Sequence, residues 1–78
     1  METNETPLQQ AKRHLAEGDD RISKQEALIV KLVTEGPETE LPAAQALLAS
    51  MHQSQALGRQ HLARELAKVA QQEDQPRP

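Results

Sequence analysis

Apolar residues recur along this chain at alternating intervals of three and four. The interval falls on Leu8, Ala11, Leu15, Gly18, Ile22, Gln25, Ile29 and Leu32, and after a gap on Leu41, Ala44, Leu48, Met51, Gln55, Gly58, Leu62 and Glu65. Such spacing keeps one stripe on one face of an α-helix and, sustained over several heptads, predicts a coiled-coil-like seam. Two long helices are expected, over about 7–35 and about 40–72, joined by a turn at about 36–39. Thr6 can cap the first, Pro7 fits its first position, and Gln9 completes a Thr-x-x-Gln capping box. In "TEGPETELP", Gly36 suits the left-handed position after a helix and Pro37 cannot continue it. Thr39 is the candidate cap of the second helix, with Glu38 and Glu40 favouring its positive end. Pro42 disfavours helical geometry at Leu41 and blurs that start.

So short a connection makes the helices antiparallel neighbours. With Leu32 facing Leu41 across the turn, the further layers pair Ile29 with Ala44, Gln25 with Leu48, Ile22 with Met51, Gly18 with Gln55, Leu15 with Gly58 and Ala11 with Leu62. Large mostly meets small, as interdigitating layers require. The outermost pair, Leu8 with Glu65, breaks the pattern, and a slip to Leu66 would repair it. Gln25 and Gln55 either fix register or sit at the seam's edge and reach water; the edge position is the plainer expectation.

In "AEGDD", Ala16 to Asp20, glycine before two aspartates reads equally as a helix stop. A break there would interrupt the seam, so a continuous helix is expected. Gly18 then marks a close approach, and Asp19 and Asp20 face outward toward nearby bases.

Near the turn, "ALIVKLV" is apolar around most of its circumference. One partner helix covers a single stripe. The surplus, Leu28, Val30, Val33 and Leu47, is the expected interaction surface. The expected fold is an all-α antiparallel two-helix hairpin, assembling as a homodimeric four-helix bundle through its turn-proximal end. A different protein is the other occupant that such a patch suggests.

Composition strengthens the case for a dimer. The 78 residues include no Phe, Trp, Tyr or Cys, so the core is aliphatic and thin, with neither disulfides nor thiolate zinc sites. Chains this small rarely gain more than about 3 to 5 kcal/mol from a core, and oligomerisation is the remaining supplement. The polar or proline-broken ends, residues 1–5 and 73–78, are expected to be unpacked tails. A net charge of −3, no apolar run near the roughly 18 residues of a membrane span and no secretory layout make a cytoplasmic protein the expectation, without membrane contact.

Candidate chemistry is sparse. The glycines at 18, 36 and 58 are isolated, so there is no nucleotide loop, and Ser23, Ser50 and Ser54 lack the strand-turn setting of a nucleophile elbow. Neither a catalytic residue, a cofactor nor a small-molecule substrate is expected. His14 and His61 fall at nearly one level, with Glu17 and Glu65 nearby, but no helix carries His-x-x-x-His or Glu-x-x-His; His52 is alone, and no metal is expected. Lys12, Arg13, Arg59, Arg64 and Lys68 concentrate far from the turn. They are the basis of the alternative expectation, a nucleic-acid-associated regulator. The interleaved acids favour a solvated face of ion pairs: Arg13 with Glu17, Glu17 with Arg21, Asp20 with Lys24, Lys31 with Glu35.

The stretches "AKRHLAEGDDRISKQEALI", "TEGPET" and "ALLASM" resemble a group of short alphaproteobacterial hypothetical proteins, also seen as helical tails on signalling proteins. The shared outline falls on Ala11, His14, Gly18, Arg21, Ile22, Gln25, Leu28 and Ile29, then Gly36, then Ala44, Leu47 and Leu48. The resemblance implies a helical hairpin and no assigned activity; Pro37 and Pro42 are additions to the outline. Together these readings predict a non-enzymatic interaction or regulatory module that presents a helical hairpin.

Overall fold

A computed structural model describes residues 4–74. Helix α1 spans Pro7–Glu35, a 3₁₀ turn spans Glu38–Glu40, and helix α2 spans Leu41–Asp74. The two helices pack against each other as an antiparallel hairpin, a single layer with principal extents of 65 × 29 × 14 Å. Most of the expected tails, residues 1–3 and 75–78, lie outside the described residues.

The start of α1 follows from its sequence. The Thr6 hydroxyl accepts from the Gln9 backbone N–H at 3.1 Å, and the Gln9 side chain accepts from the Thr6 N–H at 3.0 Å, closing the capping box with Pro7 beside it. Its end follows too: the Gly36 N–H donates to the Leu32 carbonyl at 2.9 Å. Gly36 takes φ 71° and ψ 179°, a region open essentially to glycine alone and more extended than the left-handed cap expected there. The Gly36–Pro37 peptide is cis. The start of α2 departs from expectation. Thr39 lies inside the 3₁₀ turn, and Leu41 is helical at φ −61°, ψ −46° despite preceding Pro42. Proline near a helix start forfeits no hydrogen bond, since the first N–H groups have no partner within the helix.

Every position of the predicted seam is buried or half-buried, from Leu8 to Leu32 on α1 and from Leu41 to Glu65 on α2. Leu8, Leu15, Ile29, Leu41, Leu48, Met51 and Leu62 are half-buried, while Ile22 and Leu32 are buried beside Ala11 and Ala44. The slip at the open end does not occur. Glu65 keeps the seam position at 8% exposure and Leu66 points outward at 47%. The helical period that holds Leu62 and Val69 on the seam carries Glu65 with them, and Lys68 pairs with its carboxylate at 3.2 Å.

The two glutamines also differ from the plainer expectation. Gln25 is 7% exposed and Gln55 5%, so neither is an edge residue. The Gln25 amide donates to the Ala44 carbonyl at 2.9 Å; the Gln55 amide donates to the Leu15 carbonyl at 2.7 Å and to the Asp19 carboxylate at 2.8 Å. Among the described residues no buried side-chain nitrogen or oxygen lacks a partner, which is what makes polar groups tolerable on so thin a seam.

Helix α1 runs through "AEGDD" without a break. Gly18 is where Gln55 crosses the hairpin: a Cβ there would lie 2.8 Å from the Gln55 Cδ, closer still to its Oε1. One layer away, a Cβ on Gly58 would stand 3.0 Å from Leu15 Cδ2. The glycine is therefore a packing position. Asp20 faces outward to Lys24 at 2.9 Å, as expected, whereas Asp19 turns inward to take the Gln55 amide.

Candidate interaction surface

The four residues of the expected surface are all exposed: Leu28, Val30, Val33 and Leu47. They do not form one patch. Leu28 and Leu47 line the same groove between the helices, about 460 Å³ in volume, together with Gln25, Leu32, Ala43 and Glu40. Val33 lies five residues beyond Leu28, about 140° around α1, and Val30 falls on the Val33 side. Neither valine lines the groove.

The groove continues away from the turn. Leu47 also borders a second concavity with Arg21, Ser50, Met51 and Ser54, and Arg21 and Ser54 border a third with His14, Glu17 and Gly58. Along this flank the character changes from acidic at Glu35 and Glu40, to apolar at Leu28 and Leu47, to basic at Arg21. Arg21, Glu40 and Ala43 were not among the expected surface residues. Their signal is positional, because Arg21, Leu28, Glu40, Ala43, Leu47 and Ser54 all immediately precede a seam position, and Glu35 continues the seven-residue spacing of Arg21 and Leu28. Leu57 and Leu66 are further exposed leucines, far from the turn.

At the open end two of the five basic residues, Arg13 and Lys68, are engaged in ion pairs. Arg13 is held by Glu5 at 2.8 Å and by Glu17 at 2.6 Å, and Glu17 also reaches Arg21 at 4.0 Å. Hydrogen bonds from Arg13 hold the Glu5 carboxyl below its ordinary value, and the same bonds raise the guanidinium. Lys31 and Glu35, the fourth expected pair, do not meet within ion-pair distance. His14, His52 and His61 are exposed. Among the described residues no three His, Cys, Asp or Glu side chains cluster as metal ligands, and no helix is long and apolar enough to cross a membrane.

The surface is large for the mass. The chain exposes 6407 Å². A compact chain of 8.6 kDa exposes about 4,700 Å², leaving an excess of about 1,700 Å², roughly twice what one partner contributes to a standard interface. No side chain among the described residues is fully buried.

No family model matches the chain, and no curated protein or solved structure does either.

Proposed function

We propose that this protein is a non-enzymatic interaction module of the cytoplasm that presents a helical hairpin and associates with a second copy of itself through its turn-proximal end, forming a four-helix bundle. The observation that carries this reading is the exposure of Leu28, Val30, Val33 and Leu47 on a hairpin in which no described side chain is fully buried. A four-helix bundle buries a wider stripe on each helix than a lone pair does, and that added width is where Leu28 and Leu47, which line one groove, sit. The acids interleaved with these basic residues, two of which hold Arg13 and Lys68 in ion pairs, and the net charge of −3 favour this reading over a nucleic-acid surface.

Sedimentation equilibrium tests the reading. The wild-type chain is expected to be a dimer, and L28K with L47K to weaken it by about 100-fold, equivalent to about 2.7 kcal/mol. A wild-type chain that stays a folded monomer at every concentration refutes it.

A further inference from the structure

On that reading of self-association, we infer that the two copies dock antiparallel through the Leu28–Leu47 flank, with the twofold axis at the level of these leucines. The flank is chosen by chemistry. On the opposite side of the seam the corresponding positions are mostly polar or charged: Asp19, Glu26 and Val33 on α1, and Gln45, His52, Arg59 and Leu66 on α2. The Leu28–Leu47 side instead offers an open groove with Ala43 as the small residue in its wall, space into which a leucine of the second copy fits.

Orientation is chosen by charge. Arg21 lies seven residues from Leu28 on the side away from the turn, and Glu35 lies seven residues toward it, each about 10.5 Å along the helix. Glu40 stands in the same relation to Leu47. A twofold axis across the hairpin at the leucine level therefore brings Arg21 beside the partner's Glu35, with the partner's Glu40 on the neighbouring helix. It does so at both ends of the interface, as an isologous contact requires. A parallel arrangement in the same register sets Glu35 against the partner's Glu40, which like-charge repulsion disfavours.

Charge reversal separates this geometry from self-association as such. R21E and the double variant E35R/E40R change exposed side chains, so each should keep the helicity of the wild type by circular dichroism. By sedimentation velocity across a concentration series, each alone should dimerise at least about tenfold more weakly than wild type, because the antiparallel contact then sets like charges together at both ends. An equimolar mixture of the two should recover a dimer of wild-type strength, since every contact is again between opposite charges. Variants that dimerise as wild type does, or a mixture that recovers nothing, overturn the antiparallel docking and leave self-association standing. A wild-type chain that is monomeric throughout overturns both and leaves the flank to a different protein.

Discussion

The middle of the hairpin and its turn-proximal end solve opposite problems. At the Gly18–Gln55 level the seam contains a polar amide, yet it is buried and its nitrogen has two acceptors, Leu15 O and Asp19 Oδ1. Near the turn the residues are leucine and valine, yet several stand in the open. The difference teaches that composition does not decide burial in a two-helix layer. A polar group is buried where the opposing helix offers acceptors and a missing Cβ. An apolar group stays exposed where only one stripe per helix is covered.

The strongest way to break this contrast is Gln55→Ala, which removes both amide bonds and opens space beside Gly18. It should lower unfolding free energy by about 3 kcal/mol, measured by urea denaturation. A loss below about 1 kcal/mol would mean that the amide is as well off in water as on the seam.

Gly18→Ala sharpens the same level through a change of sign. Alone, the helix-propensity gain of about 1 kcal/mol is outweighed by displacing Gln55 from its acceptors, for a net loss of about 1 kcal/mol. In a Q55A background the obstacle is gone, and the same substitution should stabilise by up to about 1 kcal/mol. A double-mutant cycle by urea denaturation checks both signs; equal signs would remove the glycine's packing role.

The smallest effect lies at the open end. Because Arg13 holds the Glu5 carboxyl below its ordinary value of 4.5, the pair contributes stability that is present above that value and lost as the pH falls through the lowered one. An NMR titration of the Glu5 carboxyl should give a midpoint below 4.5. E5Q should slightly flatten the acid limb of the stability curve, and a midpoint at the ordinary value would show the pair to be unpopulated in solution.

The seam was legible in the sequence because helix geometry alone dictates which residues share a face, and sixteen positions at three-and-four spacing leave little freedom. The same geometry explains why Glu65 stays on the seam while Leu66, one residue on, points outward: burial follows angle before polarity. Periodicity was silent on partners. Nothing in the spacing says that Gln55 reaches across to Asp19, because that contact joins residues on opposite helices and depends on the space left at Gly18. It was silent also on the division of the exposed leucines and valines between two flanks. A helix that is apolar nearly all round has no pattern left to reveal which side is open.

Gln55 also limits how far one helix of this hairpin can shift along the other. Its amide occupies a notch that exists only at Gly18; moving α2 by one heptad along α1 would set that amide against Ala11 or Gln25, both of which carry a Cβ. A one-heptad slide would thus cost the Gln55 amide both its space and its acceptors. The glutamine is the bolt that sets the register of the two arms.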